Sequence, residues 1–146
     1  MSDKANNVLE SRIRLMGESG QIFCTANVPE YNGSDKLLNE YALPIMQTHL
    51  PYIGKFLISK QEPHTISIAC YVPETAPFSA AEWVHYAMEN NLFNNKNSRS
   101  CVVKSDEVDN PFKEQDLINS RAIAFIKQHR LYVEEDDEVM LTLNDI

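Results

Sequence analysis

With 146 residues, 43% of them hydrophobic and 23% charged, the chain has the size and composition of one folded domain. A chain of that length can bury about two-thirds of its unfolded surface around a single core. The net charge of −8 is unevenly spread: residues 106–146 carry four basic side chains against eleven acidic ones and so hold −7 of it. Thirteen scattered basic residues among twenty-one acidic ones argue against direct nucleic-acid binding, whose affinity comes mostly from phosphate contacts. No apolar run approaches the ~20 residues of a membrane span.

Met1–Asn7 has neither the basic start nor the apolar stretch of a signal peptide, and residues 1–8 are expected to lack fixed structure. Cys24, Cys70 and Cys101 are odd in number, widely spaced and set in apolar strand-like runs. That pattern predicts reduced, buried thiols in a cytosolic protein and disfavours a disulfide framework or a metal knuckle.

Along the chain, Arg12–Met16 and Gln21–Val28 read as two strands joined by Gly17-Glu18-Ser19-Gly20, a hairpin with paired glycines at its turn. Pro29 ends the second strand and Asn32-Gly33-Ser34 supplies a turn and a cap. Residues 35–49 then place Leu37, Leu38, Tyr41, Ile45 and Met46 at helical intervals, with Pro44 expected to kink or shorten the helix. Residues 52–59 and 64–72 form a second strand pair, ended by Pro73. Ser79-Ala80-Ala81-Glu82 is a capping box that opens a helix to about Asn90. Residues 94–98 read as an Asn-rich loop and Ser100–Ser105 as a short strand. Asp109-Asn110-Pro111 starts a helix to about Arg130 whose acidic start and basic end suit the helix dipole. After the acidic loop 134–138, Val139–Leu143 alternates Val, Leu and Leu with Met and Thr and reads as a final strand.

The expected fold is therefore a single α+β domain over residues 1–146: about three helices on an antiparallel or mixed sheet, in the order ββα-ββα-βαβ. Val28-Pro29-Glu30, Ser34 and Tyr41-Ala42 recur as Val72-Pro73-Glu74, Ser79 and Tyr86-Ala87. This suggests a duplicated ββα unit; the plainer reading is that Pro after a strand and Ser before a helix are common punctuation.

No residues assemble into a recognisable catalytic set. Glu82, His85 and Glu89 share one helix face at the Glu-x-x-His spacing of helical metal sites, but Ala80, Val84, Ala87 and Met88 occupy the opposite face and would be its core side. His64-Thr65-Ile66 lacks a hydroxyl two residues after the histidine, and the four glycines form no phosphate-binding loop. Catalytic residues, metal ligands and cofactors are accordingly assigned to none.

The favoured reading is a small, non-enzymatic, cytosolic protein-binding module of inhibitor, immunity or adaptor type. It would present Asp106, Glu107, Asp109, Glu134, Glu135, Asp136, Asp137 and Glu138 to a basic site on a partner protein, the mimicry of nucleic-acid phosphates being one form this could take. The alternatives are a small hydrolase using His64 or the Glu82/His85/Glu89 set, and an assembly protein that forms a homodimer through an exposed strand edge such as Val139–Leu143.

Overall fold

The structure, a computed structural model, describes residues 2–61, 64–89, 98–105 and 107–133. The acidic run 134–138, the expected strand Val139–Leu143, Asp106 and residues 94–97 lie outside them.

Ala5, Leu9, Ile13 and Met16 recur at intervals of four, four and three, the spacing of one helical stripe, and all four are buried. They belong to helix α1, Ser2–Ser19. The hairpin expected here is thus absent: Arg12–Met16 is helix, and the helix opens within the residues expected to lack structure. The Ile13/Leu15 alternation misled, because Leu15 is 62% exposed while the buried residues follow the helical period. Gly20, at φ 81°, lets the chain leave the helix, and Ser19 Oγ donates to Met16 O at 2.6 Å while accepting from Gln21 N.

Strand β1, Phe23–Asn27, runs parallel to β2, Gly54–Gln61, with Phe23 opposite Gly54 and Asn27 opposite Ile58. A parallel pair needs a crossover. It is supplied by a 3-10 turn at Pro29–Tyr31, then α2 (Asp35–Leu37), a π-helical turn (Leu38–Ala42) and α3 (Leu43–Thr48) in continuous succession. Ser34 caps the start by accepting from Leu37 N at 3.2 Å. Pro44 has no N–H to give to an α-helical ladder; the wider π turn, in which Leu43 N–H donates to Leu38 O, precedes it and absorbs the break.

Strand β3, Thr65–Tyr71, is antiparallel to β2, and β4, Ser100–Lys104, is antiparallel to β3, so the sheet is mixed with order β1-β2-β3-β4. Ser59 and Ser67 face each other across β2 and β3 and are buried, yet satisfied: Ser59 Oγ donates to Val28 O and accepts from Gly33 N, and Ser67 Oγ donates to Gly33 O.

Helix α4, Ala80–Met88, carries the expected capping box, with Glu82 N donating to Ser79 Oγ and Ser79 N to Glu82 Oε2. Helix α5, Pro111–Gln128, is capped by Asn110, whose side chain accepts from Lys113 N. The expected ββα unit therefore occurs once, as β2-β3-α4. Before β1 stands a helix, and the two serine-capped helices pack on opposite faces of the sheet.

Helices cover both of those faces. Phe56, Ile58, Ile66 and Ile68 pack with Trp83, Val84, Ile118 and Phe125 of α4 and α5, while Leu57 and Ala69 pack with Leu9, Ile13, Leu38 and Met46 on the other side. Burial on both faces explains why residues 54–59 of β2 are all buried. Trp83 is the hub of the first core, within 6 Å of the rings of Phe23, Phe56 and Phe78, and its Nε1 donates to Ala122 O at 2.9 Å.

Candidate binding groove at the β1 edge

Among the described residues, strand β1 has a neighbour on one side only. Gly54 N donates to Ile22 O and Val28 N to Ile58 O, both at 2.8 Å, which fixes the phase of the parallel ladder. In such a ladder every second residue turns both backbone groups toward its neighbour. Residues 22, 24, 26 and 28 therefore bond toward β2, and the N–H and C=O of Phe23, Thr25 and Asn27 point to the open side.

That edge lies in a groove of about 370 Å³. Leu15 and Met16 of α1 form part of one wall and Ile123 and Ile126 of α5 part of another, with Tyr132 also in the lining. Arg12 is the sole charged residue among the described residues lining it, and its charge is already committed: its guanidinium donates to both carboxylate oxygens of Glu30, at 3.0 Å for the Nη2–Oε2 contact. This pairing raises the pKa of Arg12 and lowers that of Glu30. Among the described residues the groove presents apolar walls and β1 backbone groups outside the β1-β2 ladder, which is the chemistry that accepts an extended strand.

The chain beyond α5 returns to this edge. After Arg130, at φ 59°, the backbone turns and Leu131 N donates to Ile126 O. Gln21 Nε2 then donates to Val133 O at 2.7 Å, and Val133 N to Gln21 Oε1 at 3.0 Å. Both hydrogen-bonding groups of one amide side chain are thus spent on holding Val133 beside the start of β1.

Of the acidic residues expected to form one surface, only Glu107 and Asp109 fall among the described residues. Both are exposed, ahead of α5. The 18 residues of α5 span about 27 Å. Asp106 and Glu134, Glu135, Asp136, Asp137 and Glu138 lie outside the described residues.

The other candidates disperse. Glu82 is engaged in its cap, Glu89 adopts φ 56° at the helix end and pairs with Arg121 Nε at 3.2 Å, and His85 is half-buried in the last turn of α4. His64 is exposed, its carbonyl accepting from Val108 N. His49 has Nε2 2.9 Å from Glu10 Oε1. No cluster of three or more His, Cys, Asp or Glu that could hold a metal occurs among the described residues. No helix among them is long and apolar enough to cross a membrane.

Of the three thiols expected to be buried, Cys70 is; Cys24 and Cys101 are half-buried. Cys24 borders the groove and Cys101 sits on edge strand β4 opposite Cys70. Burial raises the pKa of all three, to about 12 for Cys101.

The sequence reading missed Lys55, wholly buried in β2 with Nζ donating to the carbonyls of Met46, Leu50 and Ile53 at 2.8, 2.8 and 3.0 Å. It ties the end of α3 to the sheet, and desolvation pushes its pKa down to about 8. The available signal was a lysine at a core-facing position of an otherwise apolar strand.

Comparison with protein-family models and with curated proteins finds no match.

Proposed function

We propose that the chain is a cytosolic, non-enzymatic protein-binding module that presents residues 134–138 to a basic site on a partner protein, in the manner of an inhibitor or adaptor. The observation that supports this most is the double hydrogen bond between Gln21 and Val133, which holds the residue that precedes the acidic run in sequence beside the start of β1. Five consecutive carboxylates concentrate negative potential, attracting basic surfaces and repelling acidic ones. Asp106 and the exposed Glu107 and Asp109, ahead of α5 in sequence, belong to the same proposed set of acidic contacts.

The test replaces Glu134, Glu135, Asp136, Asp137 and Glu138 with Gln or Asn. A partner captured by the original protein at low salt should be released as ionic strength rises and lost to the neutralised protein. Equal capture by the two proteins, or capture indifferent to salt, would show that the acidic run is not the docking element.

A further inference from the structure

Two of the three cysteines stand directly opposite each other on neighbouring strands, Cys70 on β3 and Cys101 on β4, and we propose that they form a reversible disulfide that staples β4 to β3 under oxidising conditions. This device stands apart from the acidic run and from the partner it would engage.

The ladder fixes the geometry. Val72 N donates to Arg99 O and Ser105 N to Ile66 O, so the bonded rungs of this antiparallel pair are 66/105, 68/103, 70/101 and 72/99. Cα atoms on a bonded rung stand about 5.5 Å apart, close to the separation most common across a disulfide. Opposed residues point to the same face, and both thiols pack in the core formed with α4 and α5, Cys70 wholly buried and Cys101 half-buried. The two sulfurs are near enough that charge on Cys101 opposes charge on Cys70. The Cβ atoms on such a rung lie about 5.5 Å apart, against at most about 4.5 Å across a disulfide, so the bond has to draw the strands together by about 1 Å. That strain makes it readily reducible, a property of regulatory disulfides as opposed to permanent structural ones.

Cys24 cannot compete. Strand β2 lies between β1 and β3, which sets Cys24 about 10 Å from Cys70, and its side chain packs with the core on the other face of the sheet. Cysteines whose Cα atoms are more than about 7 Å apart cannot be bridged without backbone movement.

The oxidant is a small-molecule disulfide. Cys101, the more accessible thiol, gives up its proton and attacks one sulfur of that disulfide, forming a mixed disulfide and releasing one small thiolate. Cys70 then gives up its proton and attacks Cys101 Sγ, and the second small thiolate leaves. The protons from the two cysteines end on the two departing thiolates, so two cysteines are oxidised and one small disulfide is reduced to two thiols. Excess thiol runs the same steps backwards. Burial holds both cysteines protonated at neutral pH, so the forward reaction is slow there and should quicken about tenfold per pH unit between pH 7 and 9. Once formed, the bond closes residues 70–101, which include α4, into one loop.

The test equilibrates the full chain with mixtures of oxidised and reduced glutathione, then alkylates free thiols and identifies the cysteine peptides by mass spectrometry. The expected product is a single chain lighter by two hydrogens, with Cys70 joined to Cys101, Cys24 alkylated and the buried Trp83 emission kept. Excess reduced glutathione should restore three free thiols. The Cys70→Ala protein should stop at the mixed disulfide on Cys101. In the joined protein the Val103 amide, bonded to Ile68, should exchange with solvent about tenfold more slowly than in the reduced one. Three free thiols in a mixture that joins the cysteines of the urea-unfolded chain would overturn the proposal. So would an original protein that stops at the mixed disulfide, a bond that involves Cys24 or a second chain, a joined product that has lost its Trp83 emission, or unchanged exchange at Val103.

Discussion

Gln21 and Val133, 112 residues apart in sequence, exchange two hydrogen bonds, one in each direction between a side-chain amide and a backbone peptide. The pair joins the start of β1 to the segment that follows α5 and so closes the end of the groove. Replacing Gln21 with Ala removes both bonds and leaves the partly buried peptide groups of Val133 to water. The expected loss is about 1–2 kcal/mol, read as a lower denaturant midpoint with an unchanged slope. Gln21→Glu should cost at least as much, because a carboxylate keeps the acceptor for Val133 N but loses the donor for Val133 O.

Lys55 gives the protein an alkaline stability signature. Its amine titrates near 8 in the folded state, driven down by desolvation, against 10.5 in the unfolded chain. Below pH 8 both states hold the proton and the cost of burying the charge is constant. Between pH 8 and 10.5 the unfolded chain holds a proton the folded one has released, so stability rises with pH across that window. Lys55→Met lacks the group, and the difference in stability between the original protein and this variant should grow by up to about 3 kcal/mol from pH 7.5 to 10.5. A constant difference would mean that the carbonyls of Met46, Leu50 and Ile53 hold the ammonium charged throughout.

Much of the sheet and its helix caps was legible, for local reasons. Strands β1, β2 and β3 lie where apolar runs are flanked by Pro or Gly, and Ser79, Glu82, Asn110 and Pro111 occupy the capping positions their chemistry favours. What failed was non-local or ambiguous in period. Ile13 and Leu15 alternate like a strand, and only the longer set Ala5, Leu9, Ile13, Met16 reveals the helix. Whether β1 pairs parallel to β2 or folds back on a preceding strand is decided by tertiary packing, which adjacent residues do not encode. The groove was illegible for the same reason: its lining unites Leu15, Met16 and Phe23 with Ile123, Ile126 and Tyr132, about a hundred positions away. Lys55 was passed over because one charged residue in an apolar strand normally marks an exposed position.

Trp83, the one tryptophan, is fully buried and donates to Ala122 O, so its emission should be blue-shifted in the folded protein and move to longer wavelength on unfolding. Trp83→Phe keeps part of the ring packing but leaves the Ala122 carbonyl without its indole donor and opens a void beside Phe23, Phe56 and Phe78. Trp83→Ala should cost about 3–5 kcal/mol and Trp83→Phe distinctly less, both measured by denaturant unfolding followed by circular dichroism.

Gly54 and Phe23 meet at the first rung of the parallel ladder. A Cβ on Gly54 would stand 2.4 Å from Phe23 Cδ1 and 2.8 Å from its Cε1, well inside contact distance. The ring cannot simply swing away, because it is packed against Phe78 and Trp83 at centroid distances of 5.1 and 5.8 Å. Gly54→Ala should therefore destabilise by about 1–3 kcal/mol despite the gain expected from removing glycine's backbone freedom. Gly17→Ala offers the contrast. It lies inside α1, and its new Cβ would approach only side-chain tips, Leu50 Cδ1 at 2.7 Å and Ile53 Cδ1 at 4.0 Å. Leu50 can rotate, and the helix gains up to about 1 kcal/mol of propensity, so this substitution should be near neutral. Thermal or denaturant midpoints for the two variants test the assignment together: a Gly54→Ala protein as stable as the original would mean that Phe23 does not pack over the start of β2.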